Sequence, residues 1–118
     1  MSVIDATERF AESEQQCWLS NLITAAITPA AQQLLVDAHG EEGAEVYRSF
    51  LILLMASGDF GAVDSDDCVA NMYSVKNGEQ VLGVYPADPE NDDKESNVIW
   101  LIVDPGHEVL TVLTPSDY

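Results

Sequence analysis

Positive charge is what this sequence most lacks: 4 Lys and Arg stand against 21 Asp and Glu, a formal net charge of −17 over 118 residues. A surface this one-sided repels nucleic acid and anionic membranes, attracts cationic partners, and weakens the compact state by self-repulsion. By the usual scaling of folded surface with mass, there is about one uncompensated negative charge per ~370 Å². Cysteine is nearly absent. Cys17 and Cys68 lie far apart and read as reduced small hydrophobes rather than as a disulfide or a metal pair. No apolar run approaches a membrane span, and the start Met1-Ser2-Val3-Ile4-Asp5 lacks the basic residues and long apolar stretch of a signal peptide. The expectation is a soluble, cytoplasmic protein.

Motifs that carry chemistry are missing as well. Asp59-Phe60-Gly61 spells a kinase metal-binding tripeptide, but there is no glycine-rich phosphate loop or catalytic-loop pattern to accompany it. A calcium loop begun at Asp64 would put Val75 where the bidentate glutamate belongs; one begun at Asp88 would put Asp93 at the glycine and Ile99 at the glutamate. Neither is an EF-hand. His39 and His107 are isolated from each other and from any ligand-spaced cysteine, which argues against a zinc site. No serine or cysteine sits in a nucleophile context, and with acids so abundant a carboxylate pair has no diagnostic value. The chain reads as a non-enzyme with no cofactor and no metal.

What is present is a scaffold of apolar runs. Val98, Ile99, Trp100, Leu101, Ile102 and Val103, then Asp104-Pro105-Gly106-His107, then Val109 to Leu113 predict a hairpin. Paired from Val103 with Glu108, it would set Ile102 on Val109, Leu101 on Leu110 and Ile99 on Val112. Apolar side chains then emerge on both faces, so one face should be covered by helices and the other by more of this chain or a second copy, making a homodimer an expectation. Cys68 to Val75 and Glu79 to Tyr85 flank Asn77-Gly78, the signal of a second hairpin with Tyr73 facing Leu82. The alternative is a short helix over Asp66 to Met72 capped by Asp64.

Helical periodicity marks the first half. Ala6, Phe10, Cys17, Trp18, Leu22 and Ala25 share one side of a helix from Asp5 to Ala26. Thr28-Pro29 starts a second helix that Gly40 ends, and Glu41, Glu42 and Glu45 open a third that runs through Phe50 and Met55 to Gly58. That third segment is apolar on most sides and should pack centrally. The fold class predicted is α+β, a single domain over residues 1–118: three N-terminal helices, mainly within 1–58, on an antiparallel sheet of about four strands from two hairpins within 68–114. Residues 86–96, with two prolines and alternating acids, are expected to be an exposed acidic loop.

With chemistry absent, charge carries the functional expectation: a non-enzymatic inhibitor of a basic, nucleic-acid-binding protein, imitating DNA or countering a defence complex. Lys and Arg clusters built to neutralise phosphates also accept ordered carboxylates. The candidate partner-binding residues are Asp88, Glu90, Asp92, Asp93 and Glu95, then Asp64, Asp66 and Asp67, then a stripe of Glu8 and Glu12 on the first helix. Two other readings fit the same composition: an immunity or antitoxin-like protein that plugs a toxin nuclease, and an acidic surface adapted to solubility or high salt.

Overall fold

A computed structural model describes residues 17–91 and 96–118. Its centre is the hairpin of β3 (Val98–Val103) and β4 (Val109–Leu113), extended on one side by β2 (Val81–Pro86) and on the other by β1 (Thr24–Ile27). The strand order is β1-β4-β3-β2. β1 runs parallel to β4 while the other neighbours are antiparallel, so the sheet is mixed. Two helices complete the fold: α1 (Pro29–Ala56) and α2 (Ser65–Asn77). The overall class is α+β, but three N-terminal helices on an antiparallel sheet are not what forms.

Each departure has a local cause. Residues 5–16 of the expected first helix, Glu8 and Glu12 among them, lie outside the described residues, and its last residues are strand instead. The short run 24–27 finds the open edge of β4, where the Ile23 and Thr24 N–H groups donate to Glu108 O and the Thr28 N–H donates to Val112 O. Ladder bonds of this kind override a weak helical pattern. The expected second and third helices run on as two arms of one element, α1, kinked where expected at Gly40, which is non-helical at φ 78° and ψ 171°.

The expected hairpin about Asn77-Gly78 is replaced by the end of α2. Asp64 caps the start of α2, its side chain accepting from the Asp67 N–H at 2.7 Å, and Gly78 closes it in the left-handed conformation at φ 69°. A tight hairpin turn and a left-handed helix cap both need a glycine at positive φ, so the dipeptide fits either. The helix prevails with Asp66 and Asp67 in its first turn and Lys76 in its last, each placed to complement the macrodipole.

In the C-terminal hairpin Val103 pairs with Leu110 and Leu101 with Val112, two residues from the expected register. The wider turn closes through the Asp104 N–H to Val109 O and the His107 N–H to Asp104 O, with His107 itself at φ 58°. Because the slip is even, every side chain keeps its face. Ile99, Leu101, Val103, Leu110 and Val112, all at 0% exposure, join Val81 and Tyr85 under α1, which contributes Ala31, Leu35, Leu51 and Met55. On the other face Trp100 is half-buried and meets the ring of Tyr118 edge-on at 5.7 Å.

The outer edge of β2 is closed. The buried Asn71 side chain of α2 accepts from the Leu82 N–H and donates to Leu82 O; two residues on, Val84 donates to Phe60 O and accepts from the Ala62 N–H. A sheet edge covered this way cannot template another strand. Replacing Asn71 with Ala strands both Leu82 groups and should cost about 1–3 kcal/mol in urea denaturation. A smaller loss would mean water replaces the carboxamide.

Asp117 ties the C-terminal 3-10 turn to the start of α1. Its carboxylate accepts from Thr28 Oγ1 at 2.6 Å, and also from the Thr114 N–H and hydroxyl, while Thr28 Oγ1 accepts from the Ala31 N–H as the helix cap. Those bonds, the one from Thr28 foremost, hold the Asp117 carboxyl below its ordinary range. A lowered folded value means the contribution is present above the ordinary carboxyl range and is lost as pH falls through the folded one. Asp117→Ala should therefore lower Tm near neutral pH, with the gap to wild type closing in strongly acidic buffer; a gap independent of pH would contradict this assignment.

Candidate functional site

Pro86 and Ala87, where β2 ends, are the point at which several acidic segments are anchored. Tyr47 donates its hydroxyl to Pro86 O and His39 donates from Nε2 to Ala87 O, both at 2.7 Å. A carbonyl only accepts, so the His39 proton on that side sits on Nε2. The two rings stack with centroids 4.2 Å apart and planes at 28°. Positions eight apart on a straight helix lie ~12 Å apart along the axis; the break at Gly40 is what brings these two together. The close approach of His39 to Gly43 belongs to the same bend, since a Cβ on Gly43 would come within 3.1 Å of the His39 Cβ.

Beyond the clamp, Asn97 fixes the next residues. It is buried; its side-chain oxygen accepts from the Asp88 N–H, and its side-chain nitrogen donates to Asp88 O and Asn91 O. The Asp88 carboxylate in turn accepts from the Glu90 N–H at 3.0 Å. Asp88 is half-buried and Glu90 exposed. Asp92, Asp93 and Glu95 lie outside the described residues.

Three acidic segments lie toward this end of β2. His39 and Tyr47, which hold Pro86 and Ala87, bracket Glu41, Glu42 and Glu45 on α1. Asp88 and Glu90 follow β2 directly. α2 returns antiparallel to β2, with Asn71 set against Leu82, so its start, with Asp64, Asp66 and Asp67, falls toward Pro86. The parallel pairing of Gly61 with Val84 leads the chain in the same direction. Every acid among the described residues is exposed except half-buried Asp88.

Two tyrosines register this field. The Tyr47 hydroxyl is raised above its ordinary value by burial and then by the Asp88 charge, and Tyr85 is raised by burial and then by Asp59. Tyr85 reaches across Gly83, where any Cβ would strike its ring, and donates to Asp59 O at 2.8 Å. Both phenols stay protonated as donors that pin the acidic segments to the sheet.

The structure thus brings Asp64, Asp66, Asp67, Asp88 and Glu90 to one end of the sheet, and adds Glu41, Glu42 and Glu45, which sequence reasoning treated only as a helix start. The acid pattern gave no signal of this convergence, which depends on the direction of α2. His39, read from sequence as a helix-end residue, is a clamp. His107 does a similar job elsewhere: its Nε2 donates to Glu79 O at 2.7 Å and its ring meets Trp18 edge-on. Among the described residues no group of three or more His, Cys, Asp or Glu is placed to hold a metal ion. No family model matches the chain, and neither does any curated protein or solved structure.

Removing the clamp tests the arrangement. His39→Ala leaves Ala87 O without its donor and should cost about 1 kcal/mol, with faster amide exchange confined to residues 87–91. Exchange unchanged in that segment would show that Asn97 alone holds it.

Proposed function

We propose that this chain is a non-enzymatic acidic inhibitor of a basic, nucleic-acid-binding protein, presenting carboxylates in place of phosphates. The observation that supports the reading is the placement of acids from three segments, all exposed but half-buried Asp88, toward the Pro86 end of β2, on a chain of net charge −17. These carboxylates stand on anchored backbone: Asp64 at a helix cap, Asp88 in a turn held by Asn97, and Glu41 to Glu45 between two clamped rings. Anchoring lowers the ordering cost of binding, and a dense field of one sign steers a cationic partner and speeds encounter. Direct binding to nucleic acid or to an anionic membrane is opposed by the same field. Among the described residues no helix is long and apolar enough to cross a membrane; the cytoplasm, where nucleic-acid machinery is met, is the proposed location.

The test is a variant that removes charge and keeps shape. Asp64→Asn, Asp66→Asn, Asp67→Asn, Asp88→Asn and Glu90→Gln together retain the side-chain oxygens that cap and turn the backbone. Loss of Asp66 and Asp67 from the first turn of α2 should cost about 0.3–1 kcal/mol each, which a melting curve would show. Wild-type chain immobilised in low salt should retain nucleic-acid-binding proteins from a native lysate and displace nucleic acid from them. The variant should bind the same proteins at least ~10-fold more weakly and with a shallower dependence on salt. Equal retention by both would remove this surface from the function.

A further inference from the structure

The second half of α1 has two apolar faces, and only one is used by the core. Ala44, Leu51 and Met55 are buried, whereas Val46, Phe50 and Leu53 are exposed at 71%, 50% and 68%. With Glu45 and Ser49 these three line a shallow cavity of about 510 Å³. Positions 46, 49, 50 and 53 are the i, i+3, i+4 and i+7 set that forms the hole into which a side chain of a second helix fits.

We infer that this face is a self-association surface, occupied by the same face of a second copy running antiparallel about a twofold axis between Ser49 and Phe50. Three features favour that occupant. First, the stripe is symmetric about its midpoint: Val46 and Leu53 lie equally far from it, as an isologous contact requires. Ser49, small and central, lets two helix axes approach to about 8–10 Å. Second, charge selects the direction. Glu41, Glu42 and Glu45 all precede the stripe, and from Val46 to Gly58 the one charged residue is Arg48. Antiparallel copies hold their Glu42 residues ~22 Å apart along the axis, beyond the screening length, whereas parallel copies would superimpose them. A basic partner would find one carboxylate at this surface, that of Glu45 at its edge, to meet its cations. Third, past Leu53 the surface continues into a hollow of about 400 Å³ that Ala56 and Ser57 line with Trp18, Met72 and Lys76, and the antiparallel register sets the acidic start of the second copy's stripe toward that lysine. A contact along one helix stripe falls at the small end of interfaces, enough for a weak, specific dimer and short of an obligate one.

Salt gives the inference its own signature. Two copies of a chain at −17 repel each other, so dimerisation strengthens as salt screens them, opposite to the loss of a basic partner. Sedimentation equilibrium of the full chain up to millimolar concentration, at about 50 and about 500 mM sodium chloride, should show a monomer–dimer equilibrium at least threefold tighter in the higher salt. Phe50→Glu should weaken it by ~10-fold or more with the far-UV spectrum and Tm unchanged, because the site is half-exposed in the monomer. A chain that stays monomeric throughout, or a dimer indifferent to Phe50→Glu, would overturn the assignment. If Phe50→Glu unfolds, Ser49→Cys on a Cys17→Ser, Cys68→Ser background decides: its disulfide dimer should form much faster than that of Ser65→Cys, and equal rates would equally overturn it. Monomer with the stripe covered by residues 1–16 of its own chain counts among the overturning results.

Discussion

The pairing of β3 with β4 is the constraint on which the remaining structure depends. Each of the side chains it buries, Ile99, Leu101, Val103, Leu110 and Val112, is worth about 1.5–3 kcal/mol removed from water. Every other element is located by one side of that hairpin: β2 by the free edge of β3, β1 by the free edge of β4, and α1 by the face between them. α2 and the segment before it then have one place left, along the outside of β2. A chain with so much negative charge needs such a nucleus, because repulsion among the acids opposes every compact form equally and the apolar ladder alone selects one.

The same division governs where the acids can stand. Apart from Asp37, those among the described residues occupy helix starts, turns and the ends of strands, where the backbone itself can offer N–H groups to a carboxylate. Asp64, Asp88 and Asp117 each accept such a bond, so part of the charge also shapes the local chain. Glu41, Glu42 and Glu45 crowd the start of the segment after Gly40 for the same reason. The apolar stripe beyond them is left free of acid, and the two surfaces are separated along one helix.

How much of this was legible in sequence follows from how local each signal is. The β-branched run of β3, the Thr28-Pro29 start of α1 and the break at Gly40 are written within a few residues, and each lies where the pattern puts it. The register of the β3–β4 turn depends on His107 at positive φ, which composition does not announce. β1 was illegible because four residues of middling propensity take their conformation from β4, far along the chain. Of the two readings of this stretch, the helix capped by Asp64, expected over Asp66 to Met72, forms over Ser65–Asn77 and the hairpin does not, because Asn77-Gly78 serves two structures. Of the candidate acids, Asp64, Asp66, Asp67, Asp88 and Glu90 lie at one end of the sheet, but their convergence follows from the direction of α2. The His39–Tyr47 stack rests on a bend that no spacing rule encodes.

The parallel ladder between β1 and β4 has a consequence for how the chain is made. The earliest described strand docks on the last one, so on a ribosome β1 and α1 emerge long before the surface that holds them exists. Until residues 109–113 clear the exit tunnel, Ala31, Leu35, Leu51 and Met55 lack the β4 part of the sheet face they pack on. The nascent chain must wait in a state whose apolar residues are shielded chiefly by its own charge. A dense complement of acids is then useful before any partner is met, as protection against aggregation while synthesis is completed.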